Sequence, residues 1–116
     1  MASSFKNAGL TVTNSDTSAS NLYTAPGGGA GAVIHAVYIS NKDSVQNANV
    51  DIKVTTDGGS TFYYVGKSLK VEPENTLVLD KPINLEPNDI IRVTQEYLPD
   101  SSLLDVEAFA SILEVT

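Results

Sequence analysis

The stretch Val50-Asp51-Ile52-Lys53-Val54-Thr55-Thr56-Asp57-Gly58-Gly59-Ser60-Thr61-Phe62-Tyr63-Tyr64-Val65 decides how this chain is read. Val50, Ile52 and Val54 alternate with Asp51, Lys53 and Thr55, the two-residue period of a strand with one buried and one wet face. Asp57-Gly58 then supplies the positive φ values that a tight reversal needs. Past the turn, Phe62 and Tyr64 lie on one face and Tyr63 and Val65 on the other, with Gly66 marking a bulge or bend before Lys67. The unit is a β-hairpin, and the chain on both sides continues in the same style.

Upstream, Ala32 to Ser40 is the strongest strand. Val33, His35, Val37 and Ile39 form one face and Ile34, Ala36 and Tyr38 the other, both largely apolar, as in a central strand. Leu22-Tyr23-Thr24-Ala25 is a short strand stopped by Pro26, and Gly27-Gly28-Gly29-Ala30-Gly31 reads as a flexible loop with no side chains for a core. Asn14 to Ser20 is a polar surface loop. Lys6-Asn7-Ala8-Gly9 reads as a polar turn ahead of a strand over Leu10-Thr11-Val12-Thr13. Downstream, Leu69 and Val71 lead to a turn at Glu72-Pro73-Glu74-Asn75. Leu77 and Leu79 resume the alternation, and Pro82 puts that piece at an edge or an end. Ile83 and Leu85 precede the turn Glu86-Pro87-Asn88-Asp89. Ile90 to Tyr97 carries Arg92 on one face and Ile91 and Val93 on the other. A last long face, Leu104, Val106, Ala108, Ala110 and Ile112, runs into Thr116. About eight strands, with turn signals roughly every 8–12 residues, predict an all-β fold: one antiparallel β-sandwich domain over residues 1–116, jelly-roll or immunoglobulin-like.

Composition narrows the function. The chain has 116 residues, no cysteine, a formal net charge of −7 and a pI near 4.4. The absence of cysteine excludes a disulfide framework and cysteine zinc sites, and fits synthesis in a reducing cytoplasm. Lysines and arginines are few and scattered, so neither nucleic acid nor an anionic membrane is an expected partner. No apolar core follows Lys6 to make a signal peptide, and the apolar run around Ala32–Ile39 is too short to span a bilayer. A soluble, unprocessed protein is expected.

Candidate chemistry is sparse. His35, the one histidine, lacks a nucleophile or acid partner, and its strand position predicts a packed side chain with one hydrogen bond. The glycine run lacks the Lys-Ser/Thr of a phosphate loop and its strand–loop–helix setting. Glu72/Glu74 flank a turn proline, and Asp105/Glu107 suit the wet face of a strand better than a hydrolase pair. Asp57 and Asp89 lack the ligand spacing of a calcium loop. The expectation is therefore a protein that is not an enzyme, with no catalytic residue, no cofactor and no metal, acting through its surface. Tyrosine gives amphipathic contact area at low entropic cost. Tyr63 and Tyr64 point to opposite faces, so at least one is expected to face outward.

Several pieces in order carry a resemblance: Phe5-Lys6-Asn7-Ala8-Gly9, Tyr23-Thr24-Ala25-Pro26 before the glycine run, Ser40-Asn41, Leu85-Glu86-Pro87-Asn88-Asp89-Ile90-Ile91-Arg92-Val93, and Ser111-Ile112-Leu113-Glu114-Val115-Thr116. In that order the chain resembles the small β-sandwich virion structural proteins of tailed bacteriophages. The resemblance implies a non-enzymatic structural role in many copies, in a virion assembled in the host cytoplasm. A capsid decoration (cement) protein, gripping adjacent subunits of the major capsid protein, is the first expectation. A tail, neck or fibre-associated sandwich, with host-glycan binding as one option, is the alternative, and a small glycosidase is disfavoured by the missing catalytic constellation. Partners are expected to be the major capsid protein or other virion proteins, with self-association into a homo-oligomer such as a trimer. Residues 1–9 are expected to form an extended contact arm, helped by the loops of residues 15–31. Phe5, Lys6, Asn7, Tyr23, Tyr63 and Tyr64 are the candidate interface residues.

Overall fold

The structure, a computed structural model, describes residues 3–115. Met1 and Ala2 of the expected arm, and Thr116, the expected end of the last strand, lie outside the described residues. Among the described residues nine strands form: β1 (Ser3–Thr11), β2 (Asn21–Thr24), β3 (Gly31–Asn41), β4 (Ala48–Thr55), β5 (Phe62–Val71), β6 (Asn75–Leu79), β7 (Ile83–Leu85), β8 (Ile90–Gln95) and β9 (Val106–Val115). One 3-10 turn, Ser18–Ser20, precedes β2.

The pairing is nested. The β4–β5 hairpin is innermost, β3 pairs with β6 and β7, β2 with β8, and β1 with β9, all antiparallel. This long hairpin rolls into two sheets, β1-β9-β3-β6 (with β7 also on β3) and β2-β8-β4-β5. That is jelly-roll connectivity, which resolves the choice left open by strand count. β6 and β7 occupy one ladder position, split where Pro82 denies the sheet a donor.

The inner faces of both sheets meet in one apolar core. Ile34, Val37, Ile39, Ala108, Ala110 and Ile112 come from the first sheet, and Val50, Ile52, Ile91 and Val93 from the second. Two buried polar residues close the ends. Asn41 Nδ2 donates to the carbonyls of Gln46 and Val71, and its Oδ1 accepts from the Asp43 amide. Gln95 joins Val12 to Leu104 in the same manner.

Four local expectations are corrected. Residues 6–9 are not a turn. They lie inside β1, whose nine residues pair continuously with β9, because a wet edge strand tolerates Ser, Lys, Asn and Gly that a central one would not. β1 ends at Thr11, although Val12 is buried and its amide donates to the Val106 carbonyl at 2.8 Å. The register of β3 on β9 shifts between Ile34 and Ala36. This bulge changes which parity faces the core, so Ile34, Val37 and Ile39 are buried while His35 is exposed and makes no side-chain hydrogen bond among the described residues. Gly31 is not part of a loose loop: it is buried, begins β3 and pairs with Val115. The expected irregularity at Gly66 is present, as register shifts of β5 against β4.

Candidate interaction surface

The two outer faces of the sandwich differ in kind. On β2-β8-β4-β5, charges are tied to one another. Lys53, almost wholly buried, places Nζ 2.8 Å from Asp16 and over the rings of Phe62 and Tyr64, at 5.3 and 5.6 Å from their centroids. Arg92 donates from Nε to Asn21 Oδ1 at 2.6 Å, reaches Asp16 at 3.2 Å and stacks 4.6 Å from Phe62. Lys67 bridges Glu96 at 3.1 Å and Asp51 at 3.5 Å. Lys53, Arg92 and Lys67 each have a carboxylate partner, and aromatic rings of β5 lie beside both lysine ammonium groups. Lys70, opposite Asn49 on the same face, has no ion pair among the described residues, so this face is largely but not wholly satisfied within the chain.

The Asp16 pair sets a pH dependence. The hydrogen bond from Lys53 holds the Asp16 carboxyl below the ordinary aspartate value, against a smaller desolvation in the other direction, and Arg92 adds to the lowering. A depressed folded pKa gives stability that is complete above the unfolded value of about 3.9 and is lost as pH falls through the folded value. Asp43, held low by the amides of Gln46 and Val45, acts with the same sign. Thermal melting should therefore be flat from pH 7 to 5 and fall below about pH 4. Asp16→Asn should cost about 1 kcal/mol at pH 7, kept small by solvent screening of its half-exposed carboxylate, and should shallow the acid limb. Melts of both proteins across that range check the expectation.

The outer face of β1-β9-β3-β6 is of the other kind. Cross-strand register lays out rows. One runs Gly9, Phe109, Tyr38, Val78, and another Phe5, Leu113, Val33, Asn84. Between them stand Asn7 and Ser111, with His35 at the bulge. A further row is Thr11, Glu107, Ser40, Thr76. Phe109 and Val78 are about half exposed, Tyr38 somewhat less, and Phe5 is 85% exposed. Glu107 is the one carboxylate in these rows, beside Lys42 at 3.6 Å, and no lysine or arginine stands in them. Phe109 lies over Gly9, where an added Cβ would sit 3.8 Å from the ring. The result is an apolar band across the full width of a sheet, on a chain that is otherwise strongly acidic.

The expected interface residues are not gathered into one site. Phe5 and Asn7 belong to this band or its margin, and Lys6 points from the same strand to the opposite side. Tyr63 and Tyr64 are both exposed, but on β5, the edge strand of the other sheet, with Tyr64 opposite Lys53 and Tyr63 opposite Val54, which packs against the core. Tyr23 is half-buried, and its hydroxyl donates to Glu114 across the sheets. Desolvation first, and then Glu114, raise its pKa well above the ordinary tyrosine value. Phe109 was missed, although its place opposite the Val106/Ala108/Ala110/Ile112 face was a usable signal. Tyr38 was visible only as one tyrosine among five. Among the described residues no group of three or more potential metal ligands converges, and no helix is long and apolar enough to cross a membrane. Asp105 and Glu107 share Lys42, at 3.3 and 3.6 Å, as an exposed charge cluster.

A jelly roll with one charge-sealed and one apolar outer face defines a class of fold, and solved structures share that fold. The chain is similar to the globular domain of zebrafish complement 1qA protein, with TM-score 0.55, 9% identity, and 97% of this chain and 96% of that one covered. It is similar to a chain in the acidic stable capsid structure of Helicobacter pylori bacteriophage KHP30, with TM-score 0.54, 13% identity, and 100% and 89% covered. It is also similar to a chain of the T13 IBDV viral particle, with TM-score 0.52, 8% identity, and 97% of this chain but 31% of that one covered. No protein-family model matches the sequence, and no curated protein matches it. At these identities the likeness is one of fold.

Proposed function

We propose that the chain is a non-enzymatic structural protein of a bacteriophage virion, a capsid decoration (cement) protein that binds across adjacent subunits of the major capsid protein. The observation that carries the reading is the apolar, nearly charge-free band over Phe5, Phe109, Tyr38 and Val78. Two chains of virus particles with the same fold support it. Covering such a band gains about 25 cal/mol for each Å² of apolar area removed from water. Repeated over many copies, modest gains of this kind stiffen a shell. The particle would form in the host cytoplasm. A host-glycan-binding role on a tail, neck or fibre is the second reading, favoured by the exposed ring of Tyr64, 5.6 Å from Lys53 Nζ, and by the exposed ring of its neighbour Tyr63.

Binding of the purified chain to undecorated capsids, read as occupancy in particle reconstructions, tests the reading. Phe109→Asp puts a carboxylate in the middle of the band while leaving the core alone, and should reduce occupancy by at least about tenfold. Deleting residues 1–7 should also lower occupancy, since it removes Phe5 and most of β1. Full occupancy by both variants sinks the proposal.

A further inference from the structure

We infer that β1 is a docking edge for a second copy of the chain, pairing antiparallel with its counterpart about a two-fold axis through Asn7. Sheet edges are a hazard that proteins blunt by bulges, short strands or proline. Three of the four edges here are blunted. β2 has four residues and a register shift between Asn21 and Tyr23. β5 has register shifts at Val50/Ile52 and Ile52/Lys53, and Ser68 at φ 52°. The β6–β7 edge is interrupted before Ile83, where Pro82 stands. β1 alone has none of these: its nine residues run in unbroken register with β9, contain no proline and carry one charge, Lys6.

The backbone fixes what this edge offers. The Val12 amide donates to Val106, so by antiparallel alternation the even-numbered residues of β1 bond to β9. The amides and carbonyls of Ser3, Phe5, Asn7, Gly9 and Thr11 point the other way, to the open edge. Self-pairing centred on Asn7 sets Ser3 against Thr11 and Phe5 against Gly9. Every outward group of the strand then meets an outward group of its copy. Centring on Lys6 would set lysine against lysine and strand one end, whereas centring on Asn7 sets each Lys6 against Ala8. The same register lays each Phe5, the most exposed aromatic of the chain, over the copy's Gly9 beside Phe109. That extends the apolar band from one sheet into the next. With a net charge of −7, two copies repel over most of their surface, and β1 is a strand without a carboxylate. An isologous edge of this kind closes at two copies, so the inference replaces the expected trimer by a dimer.

Sedimentation and oxidative cross-linking of the full chain, with no capsid present, test this independently of the virion reading. The chain should sediment as a dimer at about 100 µM, a concentration at which even a weak micromolar pairing is populated. Asn7→Pro removes an edge-facing amide and leaves the β9 bonds in place, and should weaken dimerisation at least about tenfold with the far-UV spectrum unchanged. Because the chain has no cysteine, Asn7→Cys places its thiols on the axis, where paired Cα atoms stand about 5.5 Å apart, within reach of a disulfide. Asn7→Cys should oxidise to a covalent dimer, and Phe5→Cys, whose copies sit far from each other in this register, should not. A monomer or trimer at that concentration, or cross-linking of Phe5→Cys in preference to Asn7→Cys, overturns the proposal.

Discussion

Gly31→Ala is expected to destabilise the protein by about 3 kcal/mol, which for a chain of this size lowers the melting temperature by about 10 °C. Two effects act together. Gly31 has φ 127°, a region that residues with a Cβ rarely adopt. A Cβ built there would also lie 2.4 Å from the Leu85 carbonyl oxygen. That carbonyl belongs to β7, held on the other side of β3 by the Ala32–Leu85 pairing, so it cannot yield without opening the edge of the sheet. The adjoining backbone is tied as well, since the Ala30 amide donates to Val115 at 2.8 Å. Gly28→Ala is the control: nothing lies within 4 Å of its added Cβ, and it should be neutral or slightly stabilising. Urea or thermal melts of the two variants decide the matter, and equal losses would remove the steric account.

Gln95→Ala is expected to cost about 3 kcal/mol or more. The side chain is 3% exposed and makes three hydrogen bonds: Nε2 donates to the carbonyls of Val12 and Leu104, both at 2.9 Å, and Oε1 accepts from the Leu104 amide at 3.0 Å. It thereby fixes the exit of β1 and the approach to β9 against the end of β8. Truncation leaves these backbone groups unpaired in a buried setting and adds a cavity. Gln95→Leu restores volume without partners and should recover only part of the loss. Gln46→Ala, at an exposed side chain, should stay within about 0.5 kcal/mol of the parent. A Gln95→Ala loss below about 1 kcal/mol would mean that water replaces the amide, contrary to a sealed site.

Much of the fold was legible because it is written in local chemistry. The β4–β5 hairpin follows from alternation plus the Asp57-Gly58 turn. In the structure Asp57 Oδ1 accepts from the amides of Ser60 and Thr61 and from the Thr55 hydroxyl, while Gly58 and Gly59 take positive φ. Pro82 announced the break between β6 and β7. Arg92 was placed opposite Ile91 and Val93, as the sheet has it. What failed depended on neighbours distant in sequence. Residues 6–9 carry turn-type residues, and only the complete ladder to β9 makes them strand. The bulge at His35 has no glycine or proline to mark it. It exists because β3 must keep register with β9 on one side and with β6 and β7 on the other.

The interaction surface divides in the same way. Phe5 and Asn7 were read as members of a polar terminal segment, and at least one of Tyr63 and Tyr64 as facing outward. Lys53 was an ordinary wet-face lysine until the fold brought Asp16, Phe62 and Tyr64 over it. Phe109 and Tyr38 became one band only when β9 was set between β1 and β3.

By itself, then, the sequence determined most of the strands, the tight turns and a strongly acidic net charge, because each depends on a side chain's own chemistry and on its near neighbours. The tertiary structure alone decided the nesting into a jelly roll, which parity of β3 is buried, which outer face is sealed by its own charges, and which edge is left open. Those properties arise from register between strands far apart in the chain, and a period of two carries no information about which strand lies alongside.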